Sequence, residues 1–307
     1  MTPAMLDVLV RFALYLDLAL AFGVAFFALC APRVRDSLPL PRLLASVGLI
    51  GVLLSVVGLA VLSASMAGIP LAQVDAESVA MVLTGMSLGK AWMVRIGGLA
   101  LVTAASALVR RWSKAALSVA SFGGALAMGG LAWAGHGAMD DGAVGWLHLA
   151  ADVAHLLAAG VWVGALACLL LLVARPAPRA DAAHLWATHR ALDGFALVGT
   201  AVVAVIVVTG LVNAWLLVGA ANVLSLPGTL YGQVLIAKLL LFGAMLGFAG
   251  ANRYRLTPAL AARIDAGDHR GAVVALRVSV GLETAAVVVV LALVAWLGTL
   301  QPPMSAM

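Results

Sequence analysis

Charge is scarce in this sequence. Only 10% of its 307 residues are Asp, Glu, Lys or Arg, against about a quarter in ordinary soluble domains. That shortage excludes a solvated surface over most of the chain. Cysteine is nearly absent: Cys30 and Cys168 both lie inside apolar runs, which excludes a disulfide framework. No glycine-rich nucleotide loop of the Walker type occurs, so nothing in the chain couples it to ATP. No catalytic set emerges either, and the chain is expected not to be an enzyme. The N-terminus lacks a short apolar region followed by a small-residue cleavage site, so its first apolar run is expected to stay as an anchor.

What the chain has in abundance is hydrocarbon. Hydrophobic residues make up 64%, and the mean hydropathy is +1.12. Crossing about 30 Å of lipid takes about 20 apolar residues in a helix. Eight stretches qualify, at 8–30, 43–66, 89–109, 115–135, 145–174, 194–219, 231–251 and 277–300. In lipid an open sheet leaves its backbone unpaired, so each is expected to be a helix. The sequence therefore predicts an all-α, polytopic membrane bundle of about eight transmembrane helices, in a single integral membrane domain covering 1–307. Small residues at Gly160/Gly164 and Gly243/Gly247 have the spacing of close helix packing.

The pI near 9.8 would suit nucleic acid, but the basic residues sit between apolar runs and mark topology instead. Loops 31–42, 110–114, 175–193 and 252–277 hold 14 of the 18 Lys and Arg. The intervening loops 67–88, 136–144 and 220–230 have none and carry Asp75, Glu77, Asp140 and Asp141. The positive-inside rule makes the basic loops cytoplasmic. Both termini are then expected on the outer side.

Against this background, residues 136–164 stand out by crowding His136, His148, His155, Asp140, Asp141 and Asp152 at one mouth of the bundle. His148, Asp152 and His155 fall at i, i+4 and i+7, on one helix face. Their depth is about 10 Å for Asp152 and about 15 Å for His155 below the outer surface. Two imidazoles with a carboxylate between them suit a metal or a haem. Asp17, Arg95, Asn213 and Lys238 fall at about the same depth in other spans and read as a supporting polar network. Buried charges of opposite sign are expected to offset one another there. Glu283 stands apart, about 9 Å from the inner surface, with no partner assigned.

Methionine sharpens the metal reading. Met5, Met66, Met81, Met86, Met93, Met128, Met139, Met304 and Met307 all fall on the outer side, and only Met245 does not. Thioethers favour Cu(I), and imidazole accepts copper in either state. The metal set read from the sequence is thus His136, His148, His155, Asp152 and Met139. Cys30 and Cys168 are the candidates for an inner site, with His184 and His189 nearby in a basic loop.

"DVAHLLAAGVWVGAL" (152–166), "TGLVNAWLLVG" (209–219), "YGQVLIAKLLLFGAMLGFAGANRYRLTP" (231–258) and "RVSVGLETAAVVVVLALVAWLGTLQPP" (277–303) together resemble the CopD/PcoD family of bacterial inner-membrane copper proteins. The resemblance runs from about 145 to 303; the first four spans share layout more than motif. It implies eight helices and the handling of copper arriving from the periplasm, with import toward the cytoplasm. It also implies a small periplasmic copper carrier of the CopC type, here a separate protein. His136, Asp152 and His155 match positions where the family shows polar residues; His148 stands on spacing.

Three functions remain open at this stage. The first is a copper transporter, the second a sensor or delivery factor that binds copper without moving it. The third is a b-type haem electron carrier, which would also need inner histidines. His184, His189 and His269 are expected in loops and cannot readily supply them.

Overall fold

The computed structural model describes residues 3–134, 142–174 and 182–303. Ten helices follow in order: α1 (Pro3–Cys30), α2 (Leu40–Ala67), α3 (Ala76–Gly85), α4 (Ser87–Leu108), α5 (Ser113–Gly129), α6 (Gly142–Val173), α7 (Ala182–Val218), α8 (Leu230–Ala251), α9 (Thr257–Asp265) and α10 (His269–Leu297). Among the described residues there is no strand. Eight segments are long and apolar enough to cross a membrane, in the order the hydropathy predicts. Two of them join shorter pieces, α5 with the 3-10 turn Ala132–Ala134 and α8 with α9.

The bundle is built around α1. Leu18, Ala19, Ala21, Val24, Ala25, Phe27 and Ala28 are fully buried there, as befits a helix apolar on all sides. Helices α2, α5, α6 and α10 pack around it. The approach of α6 is close because glycines meet: a Cβ on Gly164 would fall on the backbone of Gly23 and Val24, and one on Gly23 on Gly160. Gly98 of α4 and Gly123 of α5 abut in the same way. The predicted partner pair, Gly243 and Gly247, has nothing within 4 Å of a built Cβ. That spacing reflects glycine abundance and not a contact, since α8 packs through other residues onto α10. Leu211 and Trp215 of α7 and Leu240 of α8 face outward, where lipid takes the place of a partner.

The basic ends are tied down by hydrogen bonds. Arg35 donates to the Ser113 hydroxyl, and Arg253 to Thr200 and, at 3.1 Å, to the Ala196 carbonyl. His184 Nε2 donates to the Leu172 carbonyl at 3.0 Å, and Arg277 Nε to that of Val173 at 2.5 Å. These two satisfy carbonyls that the end of α6 leaves without intrahelical donors, and the Arg277 cation suits the negative end of the helix dipole. His184 and His189 thus stand inside α7 and not in a loop, because α7 begins at Ala182.

The stretch 67–88, read from the sequence as a loop between spans, contains α3. Its start is fixed by Asp75, whose carboxylate accepts from the Ser78 backbone N–H at 2.9 Å and the Ser78 hydroxyl at 2.7 Å. Those bonds hold the exposed Asp75 carboxyl below its ordinary value of 3.8. A depressed carboxyl contributes stability at pH above that ordinary value and loses it as pH falls through the folded-state value. Amide exchange at residues 78–82 is therefore expected to be constant from neutral pH down to about 5, once corrected for intrinsic rates. Below 3.8 it rises, and in Asp75→Ala the rise is absent because the cap is missing at every pH.

Candidate functional site

The face of α6 that carries His148, Asp152 and His155 turns toward α7 and α8. Helix α6 starts at Gly142, three residues earlier than hydropathy suggests, so Asp152 lies about 15 Å from its start. Asn213 of α7 donates to Asp152 Oδ1 at 2.6 Å. The other carboxylate oxygen stands 4.0 Å from His148 Nε2, on a ring that is only 1% exposed. Asp152 is thereby pinned from two helices.

His155 is oriented differently. Its Nδ1 lies 2.9 Å from the Thr209 hydroxyl of α7. That hydroxyl has a single hydrogen, which it donates to the Val205 carbonyl at 2.6 Å. With its hydrogen directed to Val205, Thr209 is placed to accept from His155, which suits the Nδ1–H tautomer; the Ile206 carbonyl of α7 offers His155 a further acceptor. A metal needs that tautomer from a histidine held by its other nitrogen. Lys238 of α8 acts electrostatically on both Asp152 and His155, and Tyr15 of α1 and Tyr231 of α8 lie within reach of Asp152. The cluster thus draws on four helices at the end of the bundle away from the basic loops.

The supporting residues divide. Asn213 bonds to Asp152, and Lys238 acts on it electrostatically. Arg95 reaches the Gly130 carbonyl through a long 3.4 Å contact and lies within electrostatic reach of Tyr15. Asp17 does not join. Its side chain occupies the space over Gly51 of α2, and its Oδ2 has no hydrogen-bond partner. The expected offset of Asp17 by a base is not formed: the ion pairs among the described residues are Asp7–Arg11 and the long His148–Asp152 contact. Equal depth does not mean equal azimuth, and Asp17 points to α2 instead of α6.

His136 and Met139, with Asp140 and Asp141, lie outside the described residues, as do Met304 and Met307. Among the described residues no three His, Cys, Asp or Glu side chains converge as a metal-binding group. The outer methionines also separate: Met5, Met66, Met81 and Met93 are exposed, whereas Met128 is 2% exposed and fills the space beside Gly160. At the basic end Cys30 is exposed and Cys168 buried, both as free thiols, and His184 Nε2 is committed to a carbonyl. Thr209, Tyr15 and Tyr231 are not singled out by the sequence reading. Thr209 had a signal, standing one turn before Asn213 on the same face of α7.

Comparison with known proteins identifies the chain's family. Residues 1–146 match the family model described as copper resistance protein D-like, N-terminal domain, and residues 189–297 match copper resistance protein D. The chain is 39% identical over 306 residues to copper resistance protein D of Pseudomonas syringae pv. tomato, covering 98% of each chain. It is 36% identical over 127 residues to copper transport protein CutJ of Bacillus subtilis (strain 168), spanning 41% of this chain and 22% of that one. Inner membrane protein YebZ of Escherichia coli (strain K12) is 31% identical over 179 residues, 56% of this chain and 55% of that protein. No solved structure matches. The family models in sequence order and the near full-length relative together make this multi-pass chain a member of the copper resistance protein D family.

Proposed function

We propose that this protein binds copper at the outer half of its bundle and moves it from the periplasm toward the cytoplasm across the bacterial inner membrane. The observation that carries this reading is the 2.9 Å contact of His155 Nδ1 with the Thr209 hydroxyl, whose own hydrogen goes to the Val205 carbonyl; that arrangement favours the tautomer with Nε2 free to coordinate. Asp152 and His148 stand one and two turns nearer the mouth, and His136 and Met139 supply the entrance. Exposed thioethers at Met5, Met66 and Met81 suit capture of Cu(I) from a separate carrier of the CopC type. Lys238 opposes cation binding electrostatically, and Asp152 offsets it, so the station binds without trapping. The basic loops favour both termini in the periplasm, with the whole chain acting as one membrane domain. The names of the relatives, copper resistance and copper transport, support the cargo; the name of YebZ supports the membrane.

The test is copper accumulation in proteoliposomes of oriented protein, wild type against His155→Ala. Uptake in wild type that is lost in the variant is the expected result. Binding without uptake in wild type would instead assign the site to copper sensing or delivery. Uptake unchanged in His155→Ala would remove His155 from the path.

A further inference from the structure

On the half of the bundle that carries the basic loops, one acid is unaccounted for by the copper site. Glu283 of α10 is 4% exposed and lies six residues past Arg277, whose guanidinium is tied to the end of α6, so it sits about 9 Å inside the basic-loop end of the span. Its partner is Asn252, itself 9% exposed, whose side-chain amide donates to Glu283 Oε1.

Asn252 opens a single π-turn, Asn252–Leu256, between α8 and α9. The turn has a local cause: Pro258 at the start of α9 has no N–H to give the preceding turn, so the helix changes its hydrogen-bond spacing. The Asn252 carbonyl oxygen, Oδ1, is buried and has no hydrogen-bond partner.

The surroundings of this pair supply no counter-charge. From the elements near α10, the π-turn offers Arg253 and Arg255, and α9 offers Arg263 and Asp265. Helix α7 offers His184 and His189, α6 offers Cys168 and α1 offers Cys30. Arg253 is held by Thr200 and Ala196, Arg277 of α10 itself by Val173, and His184 by Leu172. Among the described residues, no cation forms an ion pair with Glu283. An ionised carboxylate at this depth with one neutral donor is costly.

Adding one proton resolves both problems. A proton on the acid would supply the donor that the orphaned Asn252 Oδ1 lacks while Asn252 Nδ2–H donates to Oε1, so that acid and amide could close a two-bond ring.

We propose that Glu283 and Asn252 form a proton-binding site, loaded as the neutral acid in this conformation. Unloading breaks the Oε2–H bond, sends the proton to water at the basic-loop end, and leaves a carboxylate. A monovalent cation arriving from the outer site would replace the proton's charge, so each Cu(I) that reaches Glu283 releases one H+ at the basic-loop end. The proton site stands on its own geometry; the exchange step rests on the copper reading.

Two measurements on the full-length protein in liposomes separate these parts. Infrared absorption of protonated carboxyl groups at neutral pH is expected to show a component that Glu283→Gln removes and Asp17→Asn leaves. Glutamine preserves the paired ring with Asn252, so the variant is expected to fold. Asn252→Ala is a second probe, expected to shift that component without removing it. An infrared spectrum unchanged by both Glu283→Gln and Asn252→Ala overturns the proton site. A pH-sensitive dye then reports whether copper movement displaces protons. Displacement in wild type that is lost in Glu283→Gln supports exchange, and copper uptake with no displaced proton in wild type overturns it. If wild type moves no copper, the transport reading fails while the infrared result still decides the site.

Discussion

Replacing Gly164 by leucine is expected to cost on the order of 3 kcal/mol or more. The variant should then fail to give a single, monodisperse species in detergent. The magnitude follows from what the new side chain meets. A Cβ at Gly164 would overlap the backbone of Gly23 and Val24 on α1, and backbone cannot rotate away as a side chain can. Helices α1 and α6 would have to separate along their whole contact. Without a hydrophobic driving force between helices in lipid, that close contact is itself the source of association. The same separation would draw α6 away from α1 and disturb the packing behind Trp162 and Leu166, both buried on α6. Gly247→Leu is the matched control. Nothing lies within 4 Å of its Cβ, so it is expected to change stability by no more than about 0.5 kcal/mol. Thermal unfolding in mixed micelles compares the two, and equal losses would mean that the α1–α6 contact is not what holds the bundle.

The contrast between Gly164 and Gly247 also marks what the sequence could disclose. Eight spans were legible because lipid imposes a length and an apolar composition that few other constraints imitate. The spacing of His148, Asp152 and His155 was legible because a helix repeats by a known angle. Azimuth between helices was not. Asp17 and Asn213 share a depth, yet Asn213 meets Asp152 while Asp17 turns onto Gly51, and only packing decides that. Paired glycines likewise occur on both α6 and α8, and the pattern does not say which pair faces a neighbour. The partner of Glu283 escaped because it depends on a π-turn: Asn252 and Pro258 are both visible in the sequence, but the consequence of the missing proline N–H for helix spacing is seen only in three dimensions. Helix α3 escaped as well, being too short to span and too apolar for an ordinary loop. Its capping signal, Asp75 three residues before Ser78, was present.

Thr209→Val is expected to lower copper affinity by about 10–100-fold while costing only ~1 kcal/mol in stability. The two effects come apart because they arise from different atoms. Valine keeps the branched shape in the contact between α6 and α7, so the packing of the two helices is retained. What disappears is one acceptor. The His155 Nδ1–H, now 2.9 Å from the hydroxyl oxygen, loses its partner, and the ring is free to turn or to place its proton on Nε2. Either change removes the lone pair that would meet the metal. Thr209→Ser restores the hydroxyl, and with it the donation to the Val205 carbonyl that places Thr209 to accept from His155. Serine is therefore expected to recover most of the affinity despite the lost methyl group. Competition titration with a chelator of known Cu(I) affinity measures all three proteins, with His155→Ala as the floor. Valine at the wild-type value would mean that the tautomer of His155 has no bearing on copper. Serine as weak as valine would shift the cause from the hydroxyl to packing at the α6–α7 contact.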